Sequence, residues 1–387
     1  MTFAALGVPE PLVAALAKQG ITEPTAIQSV ALPVLISGAD AYVHAPTGTG
    51  KTLAYLLPLF MRIAPAEAAT QLVILAPTHE LAIQIQRQCG ELAVNAGLPI
   101  KSVLLVGGTA TDRQIEKLKK KPHVVIGSLG RINELLGLGK LKAKGLRAIV
   151  IDEADRLWVP ENVAMLQALI EAAPAGRQVI FASATQPENG VSTFAAVAPQ
   201  LQLVQAGEGS VSALIEHVYV VCEERDKPEL VRKLVHALHC ERAMVFVHKS
   251  HTAQDVAARL AHHKMPAADL HAASDKFSRQ QAMDDFRSGR VRVMIASDIA
   301  ARGLDIKGVT HVINLDVPSA SKAYLHRVGR TGRAGEQGMA VILVTNAELR
   351  LIRRFEGELG IQLRHARLRE GQLIPAADEP HRNETRS

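Results

Sequence analysis

Residues 45–52 carry a pattern that binds phosphate. The sequence Ala-Pro-Thr-Gly-Thr-Gly-Lys-Thr follows a short apolar strand and precedes a helix. Gly48 and Gly50 allow backbone N–H groups to turn toward a phosphate, and the helix N-terminus adds positive potential. Lys51 is expected to contact the β- and γ-phosphates, and Thr52 to ligate Mg²⁺. Ala45 stands where the strict pattern has glycine; a chance turn is the alternative, which the strand-loop-helix setting disfavours. The candidate nucleotide-binding residues of this loop are Ala45, Pro46, Thr47, Gly48, Thr49, Gly50, Lys51 and Thr52.

A second pattern, Asp-Glu-Ala-Asp at residues 152–155, directly follows the apolar strand Ala148–Ile151. The carboxyl ends of parallel strands meet at one edge of a sheet, so this turn is expected beside the phosphate-binding loop. Asp152 is the candidate Mg²⁺ partner, through water, and Glu153 the candidate base that orients and deprotonates an attacking water. An acidic turn after a strand is by itself more often a solvated cap. Because a phosphate-binding loop is also present in this sequence, a functional role for the acidic turn is favoured over a solvated cap.

A third pattern lies far along the chain, where residues 326–333 read His-Arg-Val-Gly-Arg-Thr-Gly-Arg. Arginines spaced three apart often form a solvated basic face. Two glycines and a tight array of planar donors suit phosphate recognition better. Arginines on one domain that complete a site on another follow the logic of an arginine finger.

Length and composition indicate a globular protein of two domains. The chain has 387 residues and 41.6 kDa, 48% of its residues are hydrophobic and 21% are charged. A net charge of +6 and a pI near 9.2 fit a polyanionic partner without requiring one. Cys89, Cys222 and Cys240 are scattered, which disfavours a disulfide scaffold or structural zinc site. The apolar runs are too short to cross a bilayer and the N-terminus lacks the basic start of a secretory signal, so we expect a cytoplasmic protein.

Short apolar runs alternate with amphipathic segments along the chain, which is typical of a parallel α/β fold. The predicted strands are Tyr42–His44, Leu72–Leu75, Ser102–Leu105, Val124–Ile126, Ala148–Ile151, Val179–Phe181, Glu216–Val221, Met244–Val247, Val293–Ala296, His311–Leu315 and Ala340–Val344. The predicted helices include Glu80–Ala96, Glu161–Ala172, Pro228–Leu238 and Thr252–His262. A small, polar stretch at 205–213 is the predicted linker between a domain at 1–204 and a domain at 214–375. Residues 376–387 are expected to be frayed.

Together these motifs resemble the DEAD-box family of ATP-dependent RNA helicases, and the resemblance covers nearly the whole chain. Further matches are Gly20–Gln28 with Phe3 upstream, Ser183–Thr185 and Ser297–Asp305. The resemblance implies an α/β fold of two tandem RecA-like domains, each a parallel β-sheet flanked by helices. It also implies ATP and Mg²⁺ as cofactors, and RNA bound largely independently of its sequence.

The resemblance carries functional roles onto matching residues. The predicted catalytic residues are Lys51, Asp152, Glu153, Arg330 and Arg333. The residues predicted to bind Mg²⁺ are Thr52 and Asp152. ATP binding adds Phe3, Thr25, Gln28, Gly303 and Asp305 to the loop at 45–52. The residues predicted to couple ATP hydrolysis to RNA binding are Asp155, Ser183, Thr185, His326 and Arg327. The residues predicted to bind RNA are Pro77, Thr78, Gly107, Gly108, Gly130, Arg131, Arg279 and Ser297.

The RNA-binding motifs depart from the family's pattern. His79 replaces the arginine of Pro-Thr-Arg-Glu-Leu, and residues 128–131 read Ser-Leu-Gly-Arg in place of Thr-Pro-Gly-Arg. Lys276 replaces the glutamine of a Gln-x-x-Arg element, and Ala-Ala follows His271 where the family has Gly-Asp. After the acidic turn, a run beginning at Leu157 replaces Met-Leu-Asp-Met-Gly-Phe. These positions bear on RNA binding, unwinding and coupling, and not on ATP use.

Basic segments offer further candidate RNA contacts. Lys117–Lys121 and Lys140–Lys144 either extend the RNA path or form solvated faces, and we favour solvated faces. The basic end of the chain fits an auxiliary RNA contact and a solubilising helix equally well. Its arginines are Arg350, Arg353, Arg354, Arg364, Arg367 and Arg369.

We therefore predict an RNA-stimulated ATPase whose two domains close over ATP and RNA together and reopen after hydrolysis, melting short duplexes or remodelling RNA–protein complexes. Two alternatives stay open: an ATP-gated RNA-binding clamp or assembly factor with weak unwinding, and a DNA-directed helicase of the broader superfamily. A small-molecule kinase fits poorly, because a second α/β domain with phosphate-binding arginines would have no role. Targeting is expected to come from a protein partner or from the short basic end of the chain, and a monomer without membrane attachment is the default.

Overall fold

The computed structural model describes residues 1–46, 48–186, 190–206, 214–265, 267–270, 276–301, 306, 308–332 and 336–376. These residues form two compact units, with the division between Ala206 and Leu214. Gln205, the first residue of the predicted linker, is the last residue of a strand in the first unit. The remainder of that linker, residues 207–213, lies outside the described residues, as do residues 377–387 of the predicted frayed tail.

The first unit is a parallel sheet with helices on both faces. The strand order is β3-β4-β2-β5-β6-β1-β7, and every pairing is parallel. Its strands are β1 Ala41–His44, β2 Leu72–Leu75, β3 Ser102–Leu105, β4 Val124–Gly127, β5 Ala148–Asp152, β6 Gln178–Ser183 and β7 Gln202–Gln205. Its helices are α1 Glu10–Ala17, α2 Ala26–Ile36, α3 Lys51–Arg62, α4 His79–Asn95, α5 Thr111–Lys119, α6 Leu129–Gly137, α7 Ala154–Leu157 and α8 Pro160–Ala172.

The central strands of this sheet are apolar throughout because both faces are covered. Along β5, Val150 belongs to a core with residues of α1 to α4, whereas Ile149 and Ile151 belong to a second core with residues of α6 and α8. Alternate residues of a strand point to opposite faces, so a strand buried on both sides needs a continuous apolar run. This requirement makes the strands recognisable in the sequence.

The carboxyl ends of β1, β5 and β6 meet at one edge of the first sheet. Ala182 of β6 pairs with Val43 of β1 on one side and with Asp152 of β5 on the other. The phosphate-binding loop follows β1 and the acidic turn follows β5. The topology therefore places both motifs on either side of the end of β6, as the sequence predicted.

The second unit is also an α/β sheet, with the strand order β10-β11-β9-β12-β13-β8-β14-β15. Its strands are β8 Ile215–Val221, β9 Ala243–Phe246, β10 Ala267–Asp269, β11 Val293–Ala296, β12 His311–Asn314, β13 Gly338–Val344, β14 Arg364–Arg369 and β15 Gln372–Pro375. Its helices are α9 Lys227–Ala237, α10 Ser250–His262, α11 Lys276–Arg287, α12 Asp298–Ala301, α13 Ser321–Val328 and α14 Leu349–Leu359. All pairings are parallel except that of β14 with β15, which is antiparallel.

The basic end of the chain is partly helix and partly strand. Three of its arginines lie on α14, while Arg364, Arg367 and Arg369 lie on β14. The prediction of a solubilising helix is therefore wrong for the last three. Glu370 and Gly371 both have positive φ, 51° and 78°, which closes a tight hairpin onto β15. Among the described residues, no helix combines the length and apolar character needed to cross a membrane.

Candidate functional site

The loop between β1 and α3 is shaped by two glycines and by Lys51. Gly48 and Gly50 have φ of 84° and 91°, a backbone conformation that side chains disfavour. The Lys51 ammonium donates to the carbonyl oxygens of Ala45 at 2.5 Å and Pro46 at 2.9 Å. Since α3 begins at Lys51, the positive end of the helix and the ammonium charge meet at this loop.

The start of α2 packs directly against the same loop. Thr25 and Gln28 form a capping box at the N-terminus of α2. From there Thr25 Oγ1 donates to the carbonyl of Thr49 at 2.7 Å, and Gln28 Nε2 donates to the carbonyl of Gly50 at 3.1 Å. A Cβ added at Gly50 would lie 2.5 Å from Gln28 Nε2. Two predicted ATP-binding residues therefore hold the phosphate-binding loop in place.

Asp152 lies at the end of β5 in a nearly closed pocket and is 5% exposed. Its Oδ2 accepts a hydrogen bond from the Tyr55 hydroxyl at 2.9 Å, and its Oδ1 accepts from the Glu153 N–H at 2.9 Å. Burial raises the pKa of Asp152 to about 6, against the lowering effect of the Lys51 charge. The Tyr55 hydroxyl also hydrogen-bonds with the Thr52 side chain, so the two residues predicted to face Mg²⁺ share one neighbour.

Glu153 is held in a strained conformation beside Asp152. Its φ and ψ are 48° and 53°, the left-handed region that residues other than glycine rarely adopt. Its Oε2 lies 3.5 Å from Arg156 Nε, and that oxygen is buried without a hydrogen-bond partner. A buried carboxylate oxygen with spare acceptor capacity suits a base that binds water.

Asp155 joins the acidic turn to the end of β6. Its Oδ2 accepts from the Thr185 hydroxyl at 3.0 Å, and the Thr185 N–H donates to Ser183 Oγ at 3.1 Å. The hydroxyl of Tyr42, on β1, donates to the Thr185 carbonyl at 2.8 Å. Three predicted coupling residues of the first unit are thus in direct contact with one another.

Several predicted RNA-binding residues of the first unit lie together on its surface. Thr78 caps α4 by accepting from the Leu81 N–H at 3.2 Å, and His79 is the first residue of that helix. A Cβ at Gly107 would lie 3.9 Å from His79 Nε2, and one at Gly108 would lie 4.0 Å from His79 Cε1. His79 is exposed, so the imidazole extends the surface formed by Gly107 and Gly108.

Arg131 supports the loop that follows these glycines. Its guanidinium donates to the carbonyl of Thr109 at 3.3 Å, to the Thr111 hydroxyl and to Glu134 at 3.2 Å. Its side chain is 12% exposed. Gly130 is exposed, and a Cβ there would meet no atom within 4 Å. Arg131 therefore holds this surface in shape besides being a candidate RNA contact.

In the second unit, the predicted coupling residue Arg327 and the predicted catalytic residue Arg330 are both buried. Arg327 is 1% exposed and binds both carboxylate oxygens of Asp298, at 2.6 and 2.8 Å. Arg330 is 5% exposed, and its Nε donates to the carbonyl of His326 at 3.3 Å. The predicted RNA contact Arg279 donates to the carbonyl of Ala300 at 2.7 Å, at the end of α12.

The comparisons with known proteins agree over most of the chain. Residues 25–194 match the family model for the DEAD/DEAH box helicase, and residues 226–335 match the helicase conserved C-terminal domain. The DEAD-box ATP-dependent RNA helicase CshC of Bacillus cereus is 40% identical over 357 residues, 92% of this chain and 91% of that protein. The probable ATP-dependent RNA helicase YfmL of Bacillus subtilis is 36% identical over 355 residues, 92% of this chain and 93% of that protein. This chain belongs to the DEAD-box family of ATP-dependent RNA helicases.

A solved structure of this helicase family extends the similarity to the fold. S. cerevisiae Dbp5 bound to RNA and ADP BeF3 matches with a TM-score of 0.83 at 26% identity, covering 94% of this chain and 95% of that one. The predicted fold class, two tandem RecA-like α/β domains, is confirmed, with the antiparallel edge pair as an addition.

Some predicted residues of the helicase lie outside the described part of the chain or in an unexpected setting. Thr47, Gly303, Asp305 and Arg333 lie outside the described residues. Phe3, predicted to stack on the adenine, is 1% exposed and belongs to the core with α1 to α4. A base could stack on that ring only if the residues around it moved.

The site of the helicase also uses residues that the sequence did not single out. Tyr55 joins Thr52 to Asp152, and the only available signal was its position one helical turn after Lys51. Arg156 pairs with Glu153, and Tyr42 holds Thr185. These residues contact motif residues through hydrogen bonds or an ion pair, and the spacing of the motifs along the sequence does not reveal such contacts.

The chemistry of this pocket fits Mg²⁺ bound together with a nucleotide. Within the described ranges, no cluster of three or more His, Cys, Asp or Glu side chains could hold a metal ion. Thr52 and the buried, anionic Asp152 are the available protein donors. Mg²⁺ prefers few protein ligands, with phosphate oxygens and water completing its shell.

Proposed function

We propose that this helicase hydrolyses ATP at the carboxyl edge of the first sheet and uses the reaction to bind and release single-stranded RNA, melting short duplexes locally. The observation that supports this most strongly is the continuous set of contacts through the acidic turn. Asp152 lies within the electrostatic reach of Lys51, Glu153 donates its N–H to Asp152, and Asp155 accepts from Thr185. A change at the γ-phosphate can therefore reach the end of β6 through bonded neighbours.

In the proposed reaction, Lys51 and the N–H groups of its loop hold the β- and γ-phosphates. Glu153 Oε2 accepts a proton from a water whose oxygen attacks the γ-phosphorus, and the bond from that phosphorus to the β–γ bridging oxygen breaks. Mg²⁺ bound near Thr52 and Asp152 supplies charge neutralisation on the phosphate oxygens. The products are ADP and inorganic phosphate.

The proposed RNA surface of the first unit comprises Pro77, Thr78, His79 and the glycine pair at 107–108. His79 and Gly108 are exposed and the other three residues are half-buried; the surface lies at a helix N-terminus and contains small residues that permit close approach of a backbone. Such contacts read phosphate and sugar and not base identity, so binding is independent of RNA sequence and weakens with salt. Arg279 and Ser297 are the proposed contributions of the second unit.

The remaining features of the proposal concern setting and assembly. We propose Mg²⁺ as the metal, a cytoplasmic location and a monomeric chain whose targeting comes from protein partners. The comparisons favour an RNA helicase over both the clamp and the DNA-directed enzyme, because relatives at 40% and 36% identity are named RNA helicases.

Steady-state ATPase activity with and without single-stranded RNA at low salt tests the proposal. RNA should stimulate turnover of the native chain. Glu153→Gln keeps the shape of the side chain but removes the base, so it should lower the RNA-stimulated rate by about a hundredfold or more.

A matched control is Glu161→Gln, which removes one exposed carboxylate from the first turn of α8. Its ATPase should equal that of the native chain. If RNA does not change the rate of ATP turnover, the proposal is overturned. If DNA stimulates turnover and RNA does not, the nucleic-acid substrate is DNA.

A further inference from the structure

The guanidinium of Arg327 is surrounded by acceptors from three parts of the second unit. Besides Asp298, its Nη1 donates to Asn314 Oδ1 at 3.1 Å and to the Asp316 carbonyl at 2.7 Å, and its Nη2 lies 2.7 Å from His248 Nε2. A side chain that is 1% exposed and carries a full charge requires such pairing. Each contact therefore helps to fix where Arg327 lies.

The contact with His248 fixes the protonation of that imidazole. A guanidinium has only donors, so His248 Nε2 must accept through its lone pair and carries no proton. The His248 backbone is held by a bond from its N–H to Asp316 Oδ2 at 2.6 Å. Its Nε2 lies 3.9 Å from Asp298 Oδ2, beyond hydrogen-bonding distance, so the bond from Arg327 is the one that orients the ring.

The elements joined at Arg327 carry predicted functional residues. Asp298 opens α12 directly after Ser297, a candidate RNA contact. Arg327 lies in the last turn of α13, three residues before Arg330, the candidate γ-phosphate contact. His248 adds the connection between β9 and α10 to this junction. Arg327 thus ties an RNA-contacting segment to a phosphate-contacting one within a single unit.

We propose that His248 is a positioning residue for RNA-stimulated ATP hydrolysis, acting as a neutral acceptor that orients Arg327 and through it the junction of α12 with α13. This inference rests on the proposed function, in which Ser297 contacts RNA, and on the predicted catalytic role of Arg330 toward phosphate. Without the acceptor, Nη2 keeps Asp298 alone, and on the β9 side the guanidinium keeps the ring of Phe246, whose centroid lies 5.1 Å from Arg327 Cζ, but loses the hydrogen bond to His248. The expected loss is in the response to RNA more than in ATP binding, because Lys51 and its loop lie in the first unit.

The test compares His248→Leu with His248→Gln in the full-length chain. Leucine fills similar space without an acceptor, whereas glutamine places an amide oxygen at the distance of Nε2. The side chain is 43% exposed, so both variants are expected to fold. His248→Leu should raise the RNA concentration for half-maximal ATPase stimulation about tenfold, in line with loss of a hydrogen bond to a charged group, with KM for ATP little changed. His248→Gln should restore the native value.

The control is His251→Leu, which removes an exposed histidine three residues away and should leave RNA stimulation at the native level. Two results would overturn the inference: His248→Leu responding to RNA like the native chain, or His248→Gln failing to restore the response that leucine loses. A native chain that RNA does not stimulate at any concentration would instead contradict the proposed function.

Discussion

At the scale of single residues, His79 determines how much positive charge the proposed RNA surface carries. It is exposed at the first position of α4 and lies beside Gly107 and Gly108. His79→Arg places a permanent cation there, which should tighten binding of single-stranded RNA at pH 7.5. Each added phosphate contact steepens the fall of log K with log salt by about 0.7 for a single strand. Fluorescence anisotropy over a salt series measures both changes.

Val94→Arg is the matched control for His79→Arg. Val94 lies near the other end of α4 and is 79% exposed, so the variant adds the same charge to the same helix away from the glycine pair. Its salt dependence should equal that of the native chain. Equal steepening by both variants would show a nonspecific charge effect and would remove His79 from the RNA surface.

His217 should make the helicase less stable in mild acid. It lies in β8, its Nδ1 is 2.6 Å from the Tyr324 hydroxyl, and its Nε2 is buried without a partner. Burial lowers the pKa of His217 from 6.5 to about 4, so between these values the unfolded chain binds a proton that the folded chain does not. Stability is therefore complete above pH 6.5 and declines as the pH falls toward 4, by at most about 3 kcal/mol.

His217→Asn isolates that contribution, because its amide oxygen can still accept from Tyr324 but it does not titrate. Urea denaturation at pH 7.5 and pH 5 should show a smaller loss of unfolding free energy for the variant than for the native chain. Equal losses for both proteins would contradict the assignment.

The residues that the sequence could predict are those whose chemistry depends on spacing along the chain. Asp152 ends the buried strand β5, Glu153 follows it, and Lys51 follows the glycine-containing loop after β1, so the strand and loop patterns place them at one edge of the sheet. Tyr55 and His248 could not be found in this way. Each acts on a partner about 80 to 100 residues away, a proximity that only the folded chain creates.

At the scale of elements, the junction of β3 with β4 depends on one glycine. Gly127 pairs with Leu105, and a Cβ at Gly127 would lie 1.9 Å from the Leu105 carbonyl oxygen. Gly127→Ala should force the two strands apart and destabilise the protein by roughly 3 kcal/mol. Thermal denaturation measures the loss.

Gly130→Ala is the contrasting variant, three residues further on. A Cβ there meets no atom within 4 Å, so the melting temperature should stay at or slightly above the native value. Because the family resemblance assigns Gly130 to RNA binding, this variant should also weaken RNA binding. A low melting temperature for Gly130→Ala, or a native one for Gly127→Ala, would contradict the packing described here.

The strands buried on both faces were predictable, whereas most strands at or beside the sheet edges were not. The structure places the interior strands β2 and β11 at the predicted residues, because helices cover both of their faces. β3 is an edge strand that was also predicted at its bounds, because Val103, Leu104 and Leu105 form a short apolar run. β7, β10, β14 and β15 lie at or beside sheet edges, where fewer apolar residues are needed. In β14 the alternation of arginines with Ala366 and Leu368, ending at Glu370–Gly371, was a strand and turn signal that its charge obscured.

At the scale of the whole molecule, the functional residues are divided between the two units. The phosphate-binding loop, the acidic turn and the first RNA surface belong to the first unit, and the arginines of 326–333 and the α12 segment belong to the second. The motif order along the sequence predicted this division. It did not predict that Arg327 would be almost completely buried, since burial of this arginine depends on acceptors from three separate segments.

Residues from both units are proposed to contact ATP and RNA, so we predict that each ligand raises the affinity for the other. In Glu153→Gln, a non-hydrolysable ATP analogue should tighten single-stranded RNA binding by about tenfold or more, and RNA should tighten analogue binding by the same factor, since coupling free energies are reciprocal. ADP is the matched control ligand. It retains contacts with the phosphate-binding loop but lacks the γ-phosphate that Arg330 is predicted to contact, so it should tighten RNA binding by a smaller factor. Paired titrations by fluorescence anisotropy measure both directions. A factor near one for the analogue would mean that the two units bind their ligands independently, and the RNA response of the ATPase would then have to arise within the first unit alone.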